Sequence, residues 1–123
     1  MAKTILVIDD DADWVQMISK RLRVNGYQVE AAFDSIQAIS QALKLKPDLI
    51  LLDIMMPAGS GVGVLENLRM NTNTFNMPVI ALTALSDKQT VETIVELDVS
   101  GYFVKPADMG KLLEKIEEIL SKK

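Results

Sequence analysis

Five short apolar runs recur along the chain, and between them apolar residues fall three or four apart. The runs are Thr4 to Ile8, a weaker one from Gln28 to Ala32, Leu49 to Leu52 leading into Asp53, Met77 to Thr83, and Ser100 to Val104. An unbroken aliphatic run of this length predicts a strand buried on both faces. The second run, diluted by charge and small residues, predicts a strand near a sheet edge. Pro78 is tolerable because it stands near the start of its strand.

The intervening segments read as helices. Asp11 is placed to cap one whose apolar positions are Trp14, Val15, Ile18 and Leu22, with Asn25-Gly26 as its left-handed stop. Asp34 or Ser35 opens a second, running to about Leu45 with Ile36, Ile39 and Leu43 on one face, and Pro47 keeps it from continuing. Pro57 and Gly59-Ser60-Gly61 form a loop into a third helix carrying Val64, Leu65 and Leu68, closed by the polar stretch Asn71 to Thr74. Ser86-Asp87 is placed to cap a fourth with Val91, Ile94 and Val95 inward. Asp108 starts the last, in which Met109, Leu112, Leu113, Ile116, Ile119 and Leu120 make a stripe and Lys122-Lys123 suit the negative end of the dipole.

Strand alternating with helix five times predicts a parallel sheet wrapped on both faces, and 123 residues fit one domain over 1–123. Right-handed crossovers with helices on both faces require the winding to reverse, which opens a crevice at the carboxyl ends of the strands. Four of the five strands deliver a reactive group there: Asp9 and Asp10, Asp53, Thr83 and Lys105. In the order 2-1-3-4-5, taken over from flavodoxin-like doubly wound (βα)5 sheets, to which the alternation is similar, these groups share one crevice. Asp11 and Asp13 read as a cap and a solvated surface residue.

Composition narrows the chemistry. With no cysteine and no histidine there is no disulfide framework, no thiolate, no imidazole base and no usual zinc site, and triad hydrolases fall away. A net charge of −4 argues against direct nucleic-acid binding by this domain. No apolar run approaches the ~18 residues of a membrane span, and the start reads straight into a strand. The expectation is therefore a cytoplasmic protein with neither leader nor anchor.

Carboxylates gathered at one crevice repel, and a divalent cation removes the repulsion. Hard oxygen donors without imidazole or thiolate select Mg²⁺ or Mn²⁺. An aspartate beside such an ion is a competent nucleophile toward a phosphoryl group, and Lys105 and Thr83 can stabilise the charge on its oxygens.

At this point the residues resemble the receiver domains of two-component response regulators. The motifs are Ile8-Asp9-Asp10, Leu52 to Pro57 with Gly61 beyond, Thr83-Ala84, and Tyr102 to Pro106. The resemblance implies that Asp53 is the phosphoacceptor and that Asp10, Asp53 and the Met55 carbonyl hold Mg²⁺, with Asp9 acting largely through a metal-bound water. It implies that Lys105, Thr83 and Ala84 bind the phosphoryl group, that Thr83 and Tyr102 form the switch, and that Pro106 follows a cis bond. The resemblance also implies a histidine kinase or phosphotransfer protein as donor, and the phosphohistidine must lie on that partner because this chain has no histidine. The output passes through the face of helix 4, strand 5 and helix 5 to an effector or output domain, and a phosphorylation-dependent dimer fits the same scheme. Such a protein is a switch rather than an enzyme, beyond handling its own phosphoryl group.

Two departures from the family pattern stand out. Asp98 occupies a position usually held by glycine, which predicts a left-handed residue with a side chain, and Ala107 replaces a usual aromatic. The resemblance implies that Met55 and Leu85 stand at positions that influence how water reaches the phosphoryl group. Both are apolar, which implies a long phosphoryl lifetime. The weighed alternatives are a degenerate receiver used only for docking, a flavodoxin-like nucleotide or flavin binder, and an aspartyl phosphatase. The acidic first loop disfavours the second, and Met55, standing where such a phosphatase carries its acid/base carboxylate, disfavours the third.

Overall fold

The computed structural model describes residues 2–56, 61–84 and 88–121, with only the backbone described at 88–90. The expected loop at Pro57, Gly59 and Ser60, the position of Leu85, the Ser86-Asp87 cap and the Lys122-Lys123 end lie outside these residues.

The chain alternates β1 (Thr4–Ile8), α1 (Ala12–Val24), β2 (Gln28–Ala32), α2 (Ser35–Leu45), β3 (Leu49–Asp53), α3 (Gly61–Met70), β4 (Val79–Thr83), α4 (Lys88–Glu96), β5 (Gly101–Val104) and α5 (Met109–Ser121). The strands form one parallel sheet in the order β2-β1-β3-β4-β5. This is the expected doubly wound arrangement, with β2 at an edge. The winding reverses at β1, between β2 and β3, so the carboxyl ends of β1 and β3 stand side by side.

Successive strand residues point to opposite faces, and the two core layers follow that period. Leu6, Ile8, Ile50, Leu52 and Ala81 pack against Ala38, Leu65, Leu68 and Ile94, covering one face with α2, α3 and α4. Ile5, Val7, Leu49, Leu51, Ile80 and Leu82 pack against Ile18, Leu22, Leu112 and Ile116, covering the other with α1 and α5. Every residue of β3 and β4 is buried. Each fully buried Leu or Ile contributes about 2 kcal/mol, so the strands that carry the site's residues are also among the best anchored.

Local signals fix the element ends. Asp11 accepts the Trp14 N–H at 3.1 Å and caps α1. Gly26 follows that helix with φ +92°, a conformation that a side chain would strain. Asp34, rather than Ser35, caps α2 by accepting the Gln37 N–H at 2.8 Å. Asp98 has φ +60°, as its place before β5 predicts.

Several expectations need correction. Of the α2 face expected from Ile36, Ile39 and Leu43, Ile39 is partly buried against the core, but Ile36 is 82% exposed, and the fully buried residues are Ala38 and Ala42. Alanine lets the helix approach the sheet closely, and the larger residues are displaced to the side facing α3. On α4 only Ile94 is fully buried among the expected trio, and Val95 is 63% exposed. One residue further along a helix turns about 100° away, and Leu97 and Val99 take the packing position instead. β4 begins at Val79, two residues later than the apolar run, and β5 at Gly101.

The Arg69 guanidinium, at the end of α3, donates to four backbone carbonyls: Leu97 (2.8 Å), Asp98 (3.0 Å), Phe75 (3.0 Å) and Met77 (2.8 Å). It ties the carboxyl end of α4 to the segment entering β4. Among the described residues no helix is long and apolar enough to cross a membrane.

Candidate functional site

The site is built from strand ends. β1 stops at Ile8 and hands the chain to Asp9, which is buried, and Asp10, which is exposed. Asp9 is committed on both oxygens: Oδ1 accepts the Asp11 N–H at 2.9 Å and Oδ2 accepts from Lys105 Nζ at 2.6 Å. Asp53 closes β3 and is 5% exposed; its Oδ1 accepts the Met55 N–H at 3.1 Å, and its Oδ2 lies 3.7 Å from Lys105 Nζ.

Asp9, Asp10 and Asp53 each offer an oxygen within 4.8 Å of the others. Burial raises the Asp53 carboxyl from 3.8 to about 6, with the negative charge of Asp9 adding to the effect and the Met55 N–H and Lys105 opposing it. Three carboxylate oxygens at this spacing, with no softer donor among them, are a donor set suited to a small hard cation such as Mg²⁺.

The remaining residues named from the sequence lie around this cluster. Thr83 ends β4 and is buried, and its carbonyl accepts the Lys105 N–H at 2.7 Å, which brings the lysine's backbone to the end of β4. Ala84 follows and is exposed. Tyr102 is half-buried on β5, packed against the layer that holds Ile94. Met55 is 47% exposed, and the Lys105–Pro106 peptide bond is cis. Gly61 starts α3 so close to β3 that a Cβ there would meet the Asp53 carbonyl oxygen and the Ile54 Cα; its N–H is bonded to the Ile54 carbonyl at 2.9 Å.

Two features of the cluster were not anticipated. One is the direct pairing of Lys105 with Asp9. The other is Trp14, whose ring centroid lies 4.8 Å from Lys105 Nζ. The signal for Trp14 was present, since it stands in the first turn of a helix whose cap borders the crevice, but helical spacing presents it simply as a core residue. A cavity of about 360 Å³ adjoins this side, lined by Asp11, Trp14, Met17, Lys105, Ala107 and Met109 among others. A larger one, about 700 Å³, lies between α2 and α3, away from the carboxylates.

The family model for the response regulator receiver domain matches residues 5–117. The chain is 36% identical over 116 residues to the DNA-binding dual master transcriptional regulator RpaA of Synechocystis sp., covering 94% of this chain and 48% of that protein. It is 34% identical over 120 residues to the phosphate regulon transcriptional regulatory protein PhoB of Escherichia coli, covering 98% and 52%. The chain thus spans about half the length of the curated relatives it matches. Among solved structures it superimposes on the Vibrio cholerae chemotaxis protein CheY4 with a TM-score of 0.89 at 28% identity, covering 97% of this chain and 99% of that one. A receiver domain protein from Methanospirillum hungatei gives 0.92 at 27% identity, covering 99% and 96%. The fold, its strand order and the acidic cluster agree with a family of signalling regulators that bind Mg²⁺ through acidic residues and are not classical enzymes. On the match over residues 5–117, this chain belongs to the receiver domains of two-component response regulators.

Proposed function

We propose that residues 1–123 act as one phosphorylation-controlled switch, with Asp53 as the phosphoacceptor. The observation that carries this reading is the meeting of three carboxylates and one ammonium in a single crevice, where Lys105 Nζ lies 2.6 Å from Asp9 and 3.7 Å from Asp53. In the transfer, an Asp53 carboxylate oxygen forms a bond to phosphorus as the P–N bond of a partner's phosphohistidine breaks. The imidazole leaves with the electron pair and takes up a proton.

Burial holds the nucleophile in place, and the Met55 N–H fixes its other oxygen. Lys105 needs only a short movement from Asp9 to meet the new phosphoryl oxygens. Asp10, Asp53 and the Met55 carbonyl would hold Mg²⁺, with Asp9 beside them. When bound, the ion supplies positive charge against the carboxylates and the phosphoryl oxygens.

Thr83 and Ala84 bind the phosphoryl group at the end of β4, and Thr83 with Tyr102 relays its presence to α4, β5 and α5. That face then takes an effector or output domain, or a second copy. RpaA and PhoB are transcriptional regulators by name, and a net charge of −4 on this domain leaves any nucleic-acid contact to such a partner. The setting is cytoplasmic, where a histidine kinase or phosphotransfer protein is the donor.

The test is intact mass after incubation with acetyl phosphate and Mg²⁺, beside Asp53→Asn and a metal-free control. A gain of one phosphoryl group, lost in both controls, is expected. No gain with the fold intact refutes the switch and favours a docking module.

A further inference from the structure

We propose that Trp14 is a positioning residue for Lys105, its indole face steadying the ammonium between Asp9 and Asp53; this rests on the reading of Asp53 as phosphoacceptor. A lysine carries its charge on a flexible four-carbon stem, and something must narrow where the ammonium dwells if it is to serve a group arriving on Asp53. Asp9 does part of this at 2.6 Å. The ring does the rest, because an aromatic face attracts a cation placed within about 6 Å of its centroid, and here the separation is 4.8 Å. At that distance the ring draws on the charge without consuming an N–H donor, so donors remain for Asp53 and for the phosphoryl oxygens.

The ring is itself held by packing against the core layer beneath α1 and α5, on a helix turn whose backbone is fixed by Asp11, which accepts the Trp14 backbone N–H at 3.1 Å. The ring thus stands in the first turn of α1, with the ammonium of the crevice 4.8 Å from its centroid. Trp14 and Ala107 both line the cavity of about 360 Å³ beside Lys105, where residue 107 contributes only a methyl group and the indole is the one aromatic among the described residues.

The experiment follows phosphorylation of the whole chain by acetyl phosphate and Mg²⁺, a donor that needs no docking partner, by intact mass. It compares wild type, Trp14→Phe, Trp14→Leu, Lys105→Ala and the Lys105→Ala, Trp14→Leu double variant. At saturating donor, Trp14→Leu is expected to slow labelling about fivefold and Trp14→Phe about twofold, the smaller ring being the weaker partner. In the Lys105→Ala background the leucine substitution is expected to change nothing further. Labelling at the wild-type rate in Trp14→Leu, or equal slowing with and without Lys105, overturns the proposal. The second result would place the ring's effect in the fold and not in the lysine.

If wild type takes no phosphoryl group, the reading of Asp53 fails, and the placement of the ring is judged by NMR. The Lys105 side-chain methylene next to the ammonium is expected upfield of those of the other lysines and returns to their position in Trp14→Leu. Absence of that ring-current shift overturns the placement on its own.

Discussion

Replacing Asp53 by asparagine is expected to stabilise the metal-free protein, although it removes the proposed nucleophile. The Asp53 carboxyl is raised from 3.8 to about 6, chiefly by burial and further by Asp9. A carboxyl raised in the folded state favours folding while protonated. That contribution is present below about pH 4 and is lost as pH rises through about 6. The lift of about two pH units corresponds to up to about 3 kcal/mol of stability lost by wild type across this window. The figure is an upper one, because exposed Asp10 marks where solvent reaches the crevice.

Asparagine is nearly the same shape and does not titrate. The variant and wild type should therefore be close in stability near about pH 4 and diverge by up to about 3 kcal/mol near about pH 7. With a urea slope of about 2 kcal/mol per molar, that is a midpoint shift of up to about 1.5 M. The assay is urea unfolding in chelator at both pH values. Mg²⁺ should then close most of that gap by adding stability to wild type alone, about 2.7 kcal/mol at a hundredfold excess over its dissociation constant. Equal or lower stability of Asp53→Asn near neutral pH without metal would refute the account of a strained carboxylate cluster.

Gly61→Ala should destabilise by about 2 kcal/mol and slow labelling of Asp53, since the added Cβ can be accommodated only by moving backbone next to the acceptor; unfolding and intact mass measure the two effects. Arg69→Ala leaves four carbonyls without their donor and should cost about 3 kcal/mol in urea unfolding, with Arg69→Lys recovering less than half because one ammonium cannot reach both loops. Met55 is half-exposed and apolar at a position implied to govern water access, so the phosphoryl label on purified protein should decay slowly. Met55→Asn, which can hold a water, should hasten that decay about tenfold, and an unchanged half-life would remove Met55 from the account.

The central strands were legible because a buried parallel strand is an unbroken aliphatic run, and Asp9, Asp53 and Thr83 each stand where such a run stops, while Lys105 follows the half-buried aromatic run of β5. Asp11 and Asp34 were legible as caps because capping is a local matter of a few residues. The side of α2 that packs was not, since Ile36 outranks Ala38 in hydrophobicity while close approach to the sheet selects the alanine. Val95 misled for a related reason: on a helix of nine residues a single-residue change of phase exchanges core for surface. The left-handed Lys46 at the end of α2 gave no signal, being neither glycine nor asparagine, whereas the left-handed Asp98 was anticipated from the resemblance alone. The pairing of Lys105 with Asp9 and Trp14 joins β5, β1 and α1, and no local pattern encodes such a meeting.

The grip of Arg69 on Leu97 and Asp98 gives α4 a fixed hinge. A helix held at its carboxyl end by two short charged hydrogen bonds cannot slide along the sheet without breaking them. It can still swing from its other end, the end nearer Thr83. A signal arriving at the crevice would then be converted into an angle, with the largest displacement at the start of α4 and almost none at Leu97. Amide exchange should follow that lever, with protection at 97–98 unchanged on phosphorylation while the first turn of the helix responds.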